Sequence, residues 1–253
     1  MIAACATPSE RFFTAATRLG FVHEIVAGAP FPHVVFRNFA GPANVLHIYL
    51  DGDGVPWVRG EPGADPTPRN TLVLGLMRLD QRPSVYVGRP CHHQAPVEPD
   101  CAPLFWTDGR YSEAVVESVV RVVERLVEWS GSEALVWIGY SGGGAIAMLA
   151  APRFALTKAV VTIGANLDTE AWADWHNYRR LDASLNPARQ PPLPSRIVQR
   201  HYVGAQDRVM PASILRAAAP ATVIVVPGFD HTCCWTRLWP AVLADLDRLR
   251  DEN

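Results

Sequence analysis

One stretch, residues 134–151, limits what this chain can fold into more than any other. Residues 134–138 are a continuous apolar run of strand length, Gly139-Tyr140-Ser141-Gly142-Gly143 follows at once, and residues 142–151 read as a helix of small residues. A strand that is apolar at every position is buried on both faces, a property of parallel sheets covered by helices on both sides. The alternation recurs along the chain. Residues 33–39, 45–50, 84–87, 158–163, 197–203 and 222–226 read as strands. Helices are expected over 9–19, 68–79 and 112–129, shortly after Pro211, and over 235–250. The 112–129 segment sets Val115, Val119, Val122 and Leu126 on a broad apolar face, with Glu117, Arg121, Glu124 and Glu128 largely opposite. The expected architecture is therefore α/β, a mainly parallel central sheet with helices on both faces, in one domain over residues 1–253. Residues 166–195, with two tryptophans and four prolines, are long for a connection and are expected to form a lid or a cleft wall.

A serine on a tight strand-to-helix turn, flanked by glycines, is the arrangement that exposes a nucleophilic Oγ, and Ser141 stands there. A hydroxyl is a weak nucleophile, so a histidine must take its proton and an acid must hold that histidine in the right tautomer. His231, after the strand ending at Val226 and before the last helix, is the expected base. Asp207, directly after the strand ending at Val203, is the expected acid, although it would also suit a helix cap ahead of Pro211. Asp168 is the alternative acid, and Asp230 adjoins the histidine too closely in sequence to orient its ring. Donors for a tetrahedral oxyanion are expected from the backbone N–H groups of Gly142 and of Asp53 in Asp51-Gly52-Asp53-Gly54, a stretch that can also be read as a simple Asx-Gly turn. Two carboxylates there require partners, and Arg59 or Arg89 could serve. Tyr140, Trp57, His92, His93, Asn166 and Leu167 are expected around the substrate.

Charge narrows the partners. With 23 basic and 25 acidic residues and a net charge of -2, the chain has no basic run to meet nucleic acid. Gly142-Gly143-Gly144 opens a helix but lacks the spacing of a dinucleotide fingerprint. No metal or cofactor is expected. Five cysteines remain. Cys91 and Cys101 flank a loop that a disulfide would close, stabilising by roughly 2–3 kcal/mol, or they are free thiols. Cys233 and Cys234 are adjacent, a placement that disfavours a mutual bridge, so thiols are expected there. Ile2-Ala3-Ala4-Cys5 is similar to the end of a bacterial lipoprotein signal, making residues 1–8 either the remnant of a tether lipidated at Cys5 or an ordinary tail.

Taken together, the Cys5 region, His47-Ile48-Tyr49-Leu50-Asp51-Gly52-Asp53-Gly54 with Trp57, Arg89-Pro90-Cys91 and residues 106–112 resemble bacterial α/β-hydrolases of the lipoprotein-type serine esterase group. The serine turn, Gly164-Ala165-Asn166-Leu167-Asp168, Asn186-Pro187-Ala188 and the Asp207 and His231 segments extend that resemblance over nearly the whole chain. It implies the α/β-hydrolase fold, carboxylester hydrolysis of small or polymeric esters, and a periplasmic or membrane-anchored location, with a cytoplasmic one as the alternative. Rival readings are a thioesterase, amidase or peptidase using the same three residues, and a non-catalytic surface-anchored binding protein.

Overall fold

The computed structural model describes residues 6–93, 101–219 and 222–251; Cys5, the expected lipidation site, lies outside them. In chain order the elements are α1 (Pro8–Arg18), β1 (Val22–Ala27), β2 (Pro32–Arg37), β3 (Val45–Leu50), β4 (Trp57–Val58), β5 (Glu61–Pro62), α2 (Leu72–Leu79) and β6 (Ser84–Val87). Then come α3 (Glu113–Ser130), β7 (Ala134–Tyr140), α4 (Gly142–Ala150), β8 (Thr157–Ile163), α5 (Thr169–His176), β9 (Val198–Gly204), α6 (Ala212–Ala218), β10 (Val223–Val226) and α7 (Trp235–Asp251). Eight strands form one sheet in the order β1-β2-β6-β3-β7-β8-β9-β10. The pairs from β6 to β10 are parallel, and β2 and β1 add an antiparallel edge.

Side-chain alternation along the strands builds two cores, one on each face. From β3 and β7, Leu46, Ile48, Leu50, Leu135 and Trp137 join the valines of α3 and the small residues of α4. Tyr49, Val136, Ile138 and Tyr140 point the other way, into Phe12 of α1, Val73 and Met77 of α2, and Trp235 and Trp239 of α7. α1 starts cleanly because Thr7 and Glu10 cap each other's backbone amides. β1 is absent from the sequence reading because its residues are mostly exposed and present no strand-like alternation of burial. The 68–79 helix is shorter than expected, beginning at Leu72.

Cys91 and Cys101 are joined, with Cα atoms 5.6 Å apart. Cys233 and Cys234, expected as thiols, stand side by side across a cis peptide with their Cα atoms 3.1 Å apart. Among the described residues no helix is long and apolar enough to cross a membrane.

Candidate active site

Ser141 sits between the end of β7 and the start of α4 with φ 51° and ψ -123°. Such a backbone costs a non-glycine residue on the order of 1–3 kcal/mol and persists only where its surroundings hold it. Here they do so through hydrogen bonds. The Ser141 N–H donates to the Ile163 carbonyl at 2.9 Å, and its own carbonyl accepts from Gly144 at 3.0 Å and Asn166 at 3.3 Å. The next residue must be glycine, because a Cβ at Gly142 would fall onto the Asp53 carboxylate.

His231 reaches this turn from the loop after β10. Its Nδ1 donates to Asp207 Oδ2 at 2.8 Å, and its Nε2 stands 3.1 Å from Ser141 Oγ. A carboxylate only accepts, so the ring proton is on Nδ1 and the Nε2 lone pair faces the serine hydroxyl. The Asp207 side chain has no exposure, and that of His231 retains 13%. Asp207 also closes its own turn: Oδ1 accepts from the Val209 and Met210 amides at 2.9 and 2.7 Å, leaving Oδ2 to the imidazole. The capping and acid readings of this residue thus describe its two oxygens separately. Gly164, at φ +52°, gives room for the pair, since a Cβ there would lie 2.9 Å from Asp207 Oδ2 and 3.0 Å from His231 Nδ1. Asp168, the alternative acid, instead caps α5 by accepting from Glu170 and Ala171. Asp230 accepts from the amides of Thr232 and Cys233.

The loop after β3 runs beside the serine, where a Cβ built on Gly52 would be 3.1 Å from Ser141 Cβ. The N–H groups of Asp53 and Gly142 donate to no acceptor among the described residues, which leaves both available to a bound oxygen. The Asp53 carboxylate turns away from that position into a clamp. Arg89 binds Oδ1 at 2.5 Å, Arg110 binds Oδ2 at 2.9 Å, and Tyr111 OH lies 2.8 and 2.7 Å from the two oxygens. Burial would push the Asp53 carboxyl up, but Arg110 and Arg89 outweigh it and hold it at about 2. Two cations around one anion leave a net positive charge beneath the loop, which favours an oxyanion above it. Arg59 takes no part; it occupies an exposed positive-φ position in the β4–β5 turn. Arg110 and Tyr111 escaped the sequence reading as individual residues, and the only signal for them was the 106–112 motif. Asp51 is different: burial raises its carboxyl to about 7 despite the Gly52 N–H, the Tyr86 hydroxyl and Arg89.

The turn opens into a cleft of about 1110 Å³. Tyr140, Trp57, Asn166 and Asp53 line it with Ser141 and His231, and the 166–195 segment contributes Trp172, Tyr178 and Leu181. Three expected substrate neighbours do not line it. His92 and His93 are buried, His92 bonding the Pro90 carbonyl at 2.9 Å and His93 packing on Phe12 and Tyr86. Burial lowers them to about 4 and about 3, so they are neutral supports beside the loop after β3. Leu167 is buried against Val203 and Met210. Adjacent polar histidines read as cleft residues because sequence does not show that the chain dives inward there. Among the described residues no cluster of three or more His, Cys, Asp or Glu is placed to hold a metal ion.

No protein-family model matches the chain, and no curated protein matches it in sequence. Solved structures do. An esterase from Pyrococcus furiosus superposes with a TM-score of 0.62 at 10% identity, covering 99% of this chain and 95% of that one. An α/β serine hydrolase without a lid from Xanthomonas campestris gives 0.58 at 11% identity, covering 92% and 94%. An α/β serine hydrolase homologue from Coxiella burnetii gives 0.55 at 18% identity, covering 89% and 97%. The chain has the α/β-hydrolase fold. In this α/β-hydrolase fold Ser141, Asp207 and His231 follow β7, β9 and β10, at the carboxyl ends of parallel strands, where open α/β sheets form their binding crevice.

Proposed function

We propose that the chain is a serine carboxylesterase, a reading carried by the Asp207–His231–Ser141 hydrogen-bond series at the floor of an open cleft. His231 Nε2 takes the Ser141 proton as Oγ attacks the ester carbonyl, and the N–H groups of Asp53 and Gly142 bind the oxyanion. The imidazolium, stabilised by Asp207, protonates the leaving alkoxide. Water, deprotonated by the same nitrogen, then releases the acid from the acyl-enzyme. Val55, Pro56, Trp57, Trp172, Leu181 and Met210 give the cleft apolar and aromatic walls, which suit uncharged short to medium acyl groups. Its volume slightly exceeds that of an ordinary small-ligand pocket and leaves room for a bulky or polymeric alcohol portion. The Cys91–Cys101 bridge supports placement in an oxidising compartment.

The test is hydrolysis of p-nitrophenyl acetate, butyrate and octanoate by wild type and Ser141→Ala, beside thioester and anilide analogues. Wild-type turnover of the esters, with loss of several orders of magnitude in Ser141→Ala, is expected. Preferential turnover of the thioesters or anilides would replace the esterase reading, and an unchanged rate in Ser141→Ala would remove Ser141 as nucleophile.

A further inference from the structure

We propose that Trp172 and His176 of α5 are positioning residues for the triad acid, acting through the peptide group that links Val209 to Met210. This rests on the serine-hydrolase reading of the site. The carbonyl of Val209 accepts two side-chain hydrogen bonds, from Trp172 Nε1 at 3.0 Å and from His176 Nε2 at 2.9 Å. The N–H of the same peptide, on Met210, donates to Asp207 Oδ1 at 2.7 Å, and Asp207 Oδ2 accepts from His231. One planar peptide unit therefore joins the 166–195 wall to the catalytic acid. Donors on its oxygen polarise its N–H and strengthen the bond that the carboxylate receives.

The arrangement is built rather than incidental. Trp172, His176 and Tyr178 form a mutually packed trio, with Trp172 at 5.6 Å from His176 and 5.4 Å from Tyr178, and His176 stacked on Tyr178 at 5.1 Å. Trp172 also packs beside Met210 and Leu167. Trp172, Tyr178, Val209 and Met210 all line the cleft, so the surface that meets substrate is the one that holds the acid loop. Two hydrogen bonds to the Val209 carbonyl thus tie α5 of the 166–195 segment to the acid loop.

The decisive variant is Trp172→Phe, which keeps an aromatic ring, removes one donor and adds no titrating group. The titratable groups around the His231 ring are Asp207, Tyr140 and Asp230, and only Asp207 lies on the path from Trp172. With a weaker donor on Oδ1, more negative charge remains facing the imidazole. The acidic limb of kcat/KM should then move to higher pH by a few tenths, and kcat on p-nitrophenyl butyrate should fall about fivefold, as for one lost hydrogen bond, with KM within twofold. Trp57→Leu, which changes the cleft wall at β4 and neither donor to Val209, should raise KM and leave the limb in place. A limb unmoved in Trp172→Phe, or a loss carried by KM alone, overturns the proposal. If Trp172→Phe does not fold, His176→Phe removes the other donor and is judged on kcat and the limb in the same way. Should wild type prove inert on esters, the esterase reading fails, while NMR titration of His231 in wild type and Trp172→Phe still reads the positioning effect.

Discussion

Removing the Asp53 carboxylate should unfold the protein at markedly lower temperature, because the group neutralises two nearly inaccessible guanidinium groups. The side chains of Arg89 and Arg110 are 2% and 6% exposed, and Asp53 is the acidic partner of both. In Asp53→Ala, Arg89 keeps the Arg110 carbonyl and Arg110 keeps the Thr107 carbonyl, but both lose their salt bridge, and only the Coulombic attraction of Asp51 for Arg89 and of Asp108 for Arg110 remains. Breaking a buried ion pair on one side costs about 3–5 kcal/mol. At about 2–4 °C per kcal/mol for a domain of this size, that is a fall in Tm of roughly 6–20 °C. A second magnitude comes from pH. The carboxyl drops from 3.8 to about 2 on folding, so its charge contributes about 2 kcal/mol. A depressed acid stabilises fully above its unfolded pKa and loses that contribution as pH falls through the folded one, placing the window between about pH 4 and 2. Urea unfolding of wild type and Asp53→Ala at pH 7 and at pH 3 measures both, and the difference between them should shrink at the lower pH. An Asp53→Ala protein that melts within about 2 °C of wild type at pH 7 would refute the reasoning, since the arginines would then need no anion.

Three further outcomes are expected. Asp207→Asn keeps the shape of the acid but favours the wrong imidazole tautomer, so kcat should fall by about three to four orders of magnitude, and a loss under tenfold would show that another group orients His231. Gly164→Ala places a methyl about 3 Å from both Asp207 and His231 at a positive φ, so kcat should drop by tenfold or more, while KM stays near wild type. A wild-type rate in that variant would mean that the pair tolerates displacement. The raised Asp51 carboxyl stabilises fully below about pH 4 and loses that contribution as pH rises through about 7. Asp51→Asn, which never ionises, should therefore gain in Tm relative to wild type from pH 5 to pH 8, and parallel melting curves would count against it.

The sheet was legible because fully buried parallel strands need runs of apolar side chains, a requirement written locally in residues 134–138 and 159–161. The Ser141 turn was legible for a related reason: a serine held on a strained strand-to-helix turn demands small flanking residues, which the glycines supply. His231 and Asp207 followed from their places after the last strands. What only the tertiary structure decided were contacts between segments distant in the chain. Arg59 and Arg89 were both open as partners of the Asp51-Asp53 loop; that Arg89 meets Asp53 across 36 residues, joined by Arg110 across 57, was decided by packing, because no local pattern marks a charge that will be buried. His92 and His93 looked like cleft residues until the fold turned them inward, where burial keeps them neutral. The link from Trp172 through the Val209 carbonyl to Asp207 belongs to the same class, since a hydrogen bond to a backbone oxygen leaves no trace in side-chain chemistry. Local sequence carries periodicity and turn chemistry; the pairing of remote polar groups is settled only when packing removes them from water together.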